Sequence, residues 1–132
     1  MKLRVVIDTN VIVSALLKPG NPPSHILRCA TEGRIIPCFS GEIFREYKEV
    51  LFRPKFPFRT VDIYDLFEQL RETGFSVTPK SLYMKFTDES DRVFYETAKF
   101  CNAILITGNA RHFPRDPAVM SPADFFAKFP AV

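Results

Sequence analysis

Asp8 closes a short apolar run and stands directly before an apolar helical stretch, in MKLRVVIDTNVIVSALL. A carboxylate at the C-terminal tip of a buried strand, beside a helix N-terminus, lies where open α/β sheets carry their chemistry. Glu46 falls in a helix just after the second predicted strand. Asp88 and Asp91 stand in TDESD, at the entry to a later helix, and Asn109 follows a third strand in ITGN. In a parallel sheet the strand ends and the first turns of the helices after them face one edge, so these separated segments can meet in one crevice. Gathered carboxylates raise each other's pKa unless a cation joins them. The matching cation is hard and oxygen-seeking, Mg²⁺ or Mn²⁺. Such an ion can activate a water and clamp a phosphodiester oxygen during hydrolysis.

Each position also has a plainer reading. Asp8 can cap a helix, Glu46 can be a solvated helix residue among Glu42, Arg45, Lys48 and Glu49, and Asp88 or Asp91 can be an N-cap. Asn109 can be a turn residue after Gly108. Singly these readings are strong; at these places, in this order, they weaken together.

The elements that must position these residues follow from periodicity and punctuation. Residues 3–7 form a strand by their β-branched run. Residues 11–17 form a helix, capped by Thr9 or Asn10. KPGNPP, 18–23, is a loop; Ser24 caps a helix running to Thr31, and Gly33 ends it. Residues 35–39 form the second strand. Ser40 caps a helix to about Phe52, with Ile43, Phe44, Tyr47, Val50 and Leu51 at helical spacing. Residues 53–59, RPKFPFR, form a loop or arm. Residues 61–73 form an amphipathic helix with Ile63, Leu66, Phe67 and Leu70 on one face. A short edge strand fits 75–77, and 81–86 stays open. Residues 91–102 form a helix, 103–107 the third clear strand, 118–120 a short last strand, and 121–129 a closing helix capped by Ser121, with Asp124 placed for a capping box. Strands alternating with helices predict a parallel sheet flanked by helices.

Composition bounds the possibilities. At 132 residues, 46% hydrophobic and 25% charged, the chain suits a single domain over 1–132 with a real core. No apolar run approaches the ~20 residues needed to cross a bilayer. The N-terminus enters a strand at once, without a cleavable signal, so the expected location is cytoplasmic, with no membrane association. Cys29, Cys38 and Cys101 are too few and scattered for a disulfide framework and read as buried thiols. His25 and Cys29 lie four apart, but no second ligand pair follows to complete a zinc site. The net charge of +3 is mild. Its distribution is more telling: Arg45, Lys48, Arg53, Lys55 and Arg59 cluster mid-chain, and Arg111, His112 and Arg115 near the end. As groups these can contact phosphates; singly they read as solvated surface.

Four segments, VVIDTNVIVSALL, SGEIFREYKEVLFRPKF, DESDRVFYETAKFCNAILITGNARHF and VMSPADFF, carry a family resemblance over nearly the whole chain. The chain resembles the PIN-domain family of small metal-dependent nucleases, and within it the toxin components of toxin–antitoxin systems. That resemblance implies a three-layer α/β/α sandwich around a short, mainly parallel sheet. It implies Mg²⁺- or Mn²⁺-dependent cleavage of an RNA substrate, a small antitoxin protein as partner, and a homodimer as a further association. Asp8 matches the first acid of the family's motif, Glu46 the second and Asp91 the third, with Asp88 as the acidic companion in the outer shell or at a second metal. Thr107 matches the hydroxyl residue before the glycine, where it would orient a ligand or water. Asn10 matches the polar residue beside the site. One departure stands out: many relatives read TGD where this chain reads TGN. Asn109 can offer a carbonyl oxygen but no charge, so one well-held cation and a weaker second one are expected.

Three functional classes follow. In the first, an endoribonuclease, Asp8, Glu46 and Asp91 are catalytic, and Arg53, Lys55 and Arg59, with Phe56 and Phe58, guide a single strand by charge and stacking. In the second, a catalytically weakened module on the same scaffold binds RNA or a protein and cuts nothing. The third, a phosphoryl-transfer or receiver-like domain, is disfavoured: DTN lacks the second aspartate of a DxD loop, and no lysine stands near residues 104–107.

Overall fold

Short β-branched and apolar runs pair side by side into a five-stranded sheet of order β3-β2-β1-β4-β5. The computed structural model describes residues 2–82 and 85–132. The strands are β1 (Arg4–Ile7), β2 (Ile36–Phe39), β3 (Phe75–Ser76), β4 (Ile104–Ile106) and β5 (Val119–Met120). Every pairing is parallel, with Val5 opposite Pro37 on one side and Ile104 on the other. Parallel strands need helical crossovers. The chain supplies α1 (Thr9–Leu17), α2 (Pro22–Thr31), α3 (Gly41–Leu51), α4 (Thr60–Thr73), α5 (Glu89–Cys101) and α6 (Pro122–Lys128). The helices sandwich the sheet, giving the three-layer α/β/α architecture that the alternation of elements predicts.

The central strand carries the core. Val5, Val6 and Ile7 are buried together with Leu105 and Ile106 of β4. Helix α5 lies across β1, β2 and β4, while α2 packs on α1, α4 and α6. Phe67, Phe94 and Phe125 are fully buried, each contributing about 1.5–3 kcal/mol through burial. Phe126 and Phe129 are only partly buried against this core, and Phe126 stacks on His25 at 4.1 Å between ring centroids. The three cysteines are buried and free.

The helix starts depart from the sequence reading in instructive ways. Helix α1 begins at Thr9, so Asp8, rather than Thr9 or Asn10, is the N-cap residue. Helix α2 begins at Pro22, where two prolines suit the first turn, and Asn21 caps it by accepting from the Ser24 N–H; Ser24 is the donor, not the cap. Helix α5 starts at Glu89, two residues early, because Asp88 accepts from the Ser90 N–H. Ser40 and Ser121 cap α3 and α6 as expected. Gly33, at φ +76°, follows α2, and Asn102 ends α5 in the left-handed conformation. Within 81–86, Tyr83 and Met84 lie outside the described residues, and the other four join no helix or strand. Among the described residues no helix is long and apolar enough to cross a membrane.

Candidate active site

The β1 strand delivers Asp8 to the sheet's C-terminal edge with only 6% of its surface exposed. Its main chain is fully used: Asp8 N–H donates to the Ile106 carbonyl at 2.9 Å, and its carbonyl accepts from the Val11 N–H at 3.0 Å. Its side chain makes no capping bond to α1. The carboxylate is thus released from the plain role of a cap. Its Oδ2 accepts instead from the Thr107 hydroxyl at 2.7 Å, across from the neighbouring strand β4.

Thr107 is fully buried, and its Oγ1 accepts from the Asn109 N–H at 3.0 Å while donating to Asp8. One hydroxyl therefore fixes both the carboxylate and the loop after β4. Asn10 holds the same loop from the other side, its Oδ1 accepting from the Gly108 N–H at 3.2 Å. Resemblance assigned Thr107 the orienting of a ligand or water; in the structure it orients Asp8.

Helices α3 and α5 bring the other acids. Glu46 is half-buried on α3, and Asp91 lies in the first turn of α5. Burial, opposed by the Thr107 hydrogen bond and reinforced by Asp91 and Glu46, pushes Asp8 from 3.8 up to about 6. Glu46 is also raised, by burial first and then by Glu49, Asp88 and Asp91, with Arg53 opposing. Asp91 is raised by burial and by Asp88, and lowered by His112, whose Nδ1 lies 3.8 Å from Asp91 Oδ2. Asp8 and Asp91 stand more than eighty residues apart in sequence, yet the charges of Asp91 and Glu46 reach Asp8, and that of Asp91 reaches Glu46.

Asp88 differs from these three. It is exposed, its Oδ1 accepts from both the Ser90 N–H and the Ser90 hydroxyl, and those bonds hold its carboxyl below the usual range. Asn109 is exposed at the mouth of the loop. Of the basic arm, Arg59 is tied to Asp62 at 3.0 Å and Arg53 faces Glu49 at 3.8 Å; Lys55 lies over the Phe56 ring, which stacks on Phe58.

Mutually repelling carboxylates with hard oxygen donors fit a divalent cation in charge and chemistry. As placed, no group of three or more His, Cys, Asp or Glu side chains among the described residues is close enough to hold an ion directly. Water would have to complete the shell, as Mg²⁺ usually requires. The Thr9 hydroxyl, next to Asp8, is buried and has no hydrogen-bond partner among the described residues.

Two polar groups near the site escaped the sequence reading. Tyr47, assigned to the apolar face of α3, donates its hydroxyl to the Ile7 carbonyl at 2.5 Å, immediately before Asp8. A tyrosine in a buried stripe needs such a partner, and that was the available signal. Glu96 is buried on α5, where it accepts from the Leu82 N–H and pairs with Arg92. The spacing of Arg92, four residues earlier, made the ion pair readable, while the Leu82 contact fourteen residues away had no local signal.

Comparison with known proteins bears on the family and the fold. Over 112 residues the chain is 30% identical to the uncharacterized protein MJ1680 of Methanocaldococcus jannaschii, covering 83% of this chain and 72% of that one. The fold is similar to a chain in the crystal structure of VapBC2 from Rickettsia felis bound to a DNA fragment from their promoter. That match has a TM-score of 0.61 and 15% identity, covering 90% of this chain and 97% of that chain. The model of the PIN domain matches residues 4–111. That span runs from the first residue of β1 to the turn beyond Asn109 and contains every acid just described, so the chain belongs to the PIN-domain family.

Proposed function

We propose that this protein is a metal-dependent endoribonuclease acting as the toxin of a toxin–antitoxin pair. The observation that carries the reading is Asp8: a carboxylate at the N-cap position of α1 whose side chain makes no capping bond there, raised to about 6 by burial and further by Asp91 and Glu46. Carboxylates kept together against their own repulsion favour a site whose charge is completed by a cation.

In this reading Asp8, Glu46 and Asp91 hold Mg²⁺ or Mn²⁺ partly through water. When bound, the cation supplies Lewis-acid polarisation of the scissile phosphate and a more acidic water. Thr107 keeps the Asp8 carboxylate aimed at the edge of the sheet, and Asn10 keeps the 107–109 loop against α1. Tyr47 braces the strand tip by holding the Ile7 carbonyl. Asp88 acts from outside by its charge on Glu46 and Asp91.

RNA cleavage in Mn²⁺ or Mg²⁺, its removal by EDTA, and its loss in Asp8→Asn test the reading. An Asp8→Asn protein that cuts as well as the parent would end it. Asn109 favours a second reading, a weakened module that binds RNA or protein without cutting. RNA binding with no cleavage in either metal would select that one.

The antitoxin partner is supported by the fold's likeness to a chain of the VapBC2 assembly. It is also supported by exposed apolar side chains on one flank: Phe52 and Tyr64 touch at 5.5 Å, with Val61 one turn before Tyr64. Growth arrest on expression, relieved by co-expression of a small protein encoded beside it, tests the toxin role. Arrest that persists in Asp8→Asn would detach toxicity from the acids.

A further inference from the structure

We infer that Arg111 and Arg115, on the turn after β4, form the backbone grip for a single-stranded RNA at this site, an inference that rests on the nuclease reading. The argument is one of free charge and proximity. In the mid-chain arm, Arg59 is bound twice by Asp62, through Nε and through Nη2, and Arg53 faces Glu49. Those cations are already partly answered. Among the described residues Arg111 and Arg115 have no carboxylate partner, and both are exposed.

The acid nearest in sequence to Arg115 is also taken. Asp116 accepts from Lys99 and from the Tyr95 hydroxyl, and through its Oδ1 from the Ala118 N–H. These bonds hold its carboxyl low, so it stays a satisfied anion and leaves Arg115 unpaired. His112, between the two arginines, faces Asp91 and belongs with the acids.

The backbone of the turn is tied down from within and from below. Ala110–His112 form a 3-10 turn closed by the His112 N–H on the Asn109 carbonyl, and Phe113 is buried beneath it against Tyr95 and Phe86. Arg111 and Arg115 line one groove of about 400 Å³ with Phe113, Val119 and Asp116, the last an anion whose charge Lys99 answers. The groove starts at Ala110, the residue after Asn109, whose N–H is bonded to the hydroxyl that orients Asp8. A strand whose scissile phosphate meets Asp8 and Asp91 would lay its neighbouring phosphates along this groove. Guanidinium groups suit that task because they meet phosphate oxygens with two parallel donors.

The test uses Asp8→Asn protein, so that RNA is bound without being cut, with a fluorescent single-stranded RNA over a salt series. Arg111→Ala/Arg115→Ala in that background should bind more weakly, with the slope of log affinity against log salt shallower by about 1.4 for two lost phosphate contacts. Arg111→Lys/Arg115→Lys should recover most of the slope. Arg53→Ala/Arg59→Ala should cost less than the turn pair. An unchanged slope with RNA still bound, or a larger loss from the arm pair, overturns the grip and leaves the nuclease reading standing. Failure of the Asp8→Asn protein to bind RNA, or preference for duplex DNA of equal length, overturns both.

Discussion

Burial, with the neighbouring Asp91 and Glu46 charges, moves Asp8 from 3.8 to about 6, and this has a measurable consequence for the metal-free protein. The folded state keeps a proton that the unfolded chain has already released, so stability falls as pH rises from about 3.8 to about 6 and stays lower above it. The shift corresponds to about 3 kcal/mol at most. Asp8→Asn removes the strained charge while an amide can still accept from Thr107. In EDTA at pH 8 the variant should resist urea better than the parent by up to about 3 kcal/mol, even though the proposed function requires it to lose cleavage. Equal or lower stability at pH 8 would show that the folded protein does not hold this carboxylate under strain. Asn109 invites the opposite change. Asn109→Asp restores an acid after the glycine and should tighten the weaker of two Mn²⁺ binding events, read by calorimetry. Two equally tight sites in the unaltered protein would remove the basis for that expectation.

At the scale of elements, the passage from α4 to β3 depends on one close approach. A Cβ on Gly74 would stand 1.9 Å from the Pro37 carbonyl oxygen and 2.7 Å from Pro37 Cγ, and the oxygen is backbone in β2 and cannot yield. Gly74→Ala should therefore cost at least about 1–3 kcal/mol and lower Tm by roughly 5 °C or more. Gly41→Ala, at the first position of α3 with nothing within 4 Å, should leave Tm unchanged or slightly raised. A Gly74→Ala protein that melts with the parent would contradict the packing of β3 on β2. The elements themselves were largely legible, because β1 and β4 are short β-branched runs, β2 and β5 are short apolar runs, and the longer helices carry an apolar stripe. Helix starts were less so. Asp8, Asn21 and Asp88 each present a plausible cap, and only the backbone decides which residue takes the position. Asp8, Glu46 and Asp91 could be linked from sequence because a parallel topology sends strand tips and the helices after them to one edge, and the Asp91 and Glu46 charges do act on Asp8. The polar groups that hold them were not: Thr107 reaches Asp8 from 99 residues away and Tyr47 reaches Ile7 from 40 away. No local pattern encodes such pairs. Asp88 is the contrasting case: its cap on Ser90 is local, two residues away, and was one of the readings the sequence offered.

For the whole molecule, the proposed metal site would couple cation binding to folding. A cation that joins Asp8 to its neighbours binds the folded state alone, because the unfolded chain holds these acids far apart. Mn²⁺ at one hundred times its Kd should then stabilise the protein by about 2.7 kcal/mol, raising Tm by several degrees. Protons compete for the same carboxylate. Below about 6 Asp8 is protonated in the folded state, so the Mn²⁺-induced rise should be full at pH 8 and largely lost at pH 5. Glu46 and Asp91, also raised, sharpen that loss, while the capping carboxyl of Asp88 stays ionised through it. Thermal melts in Mn²⁺ and in EDTA at the two pH values measure the effect, with Asp8→Asn as the reference. The variant should show little rise at either pH. A Mn²⁺-induced rise of equal size in Asp8→Asn, or one that persists at pH 5, would place the cation elsewhere and separate it from the strand-tip carboxylate around which the fold is arranged.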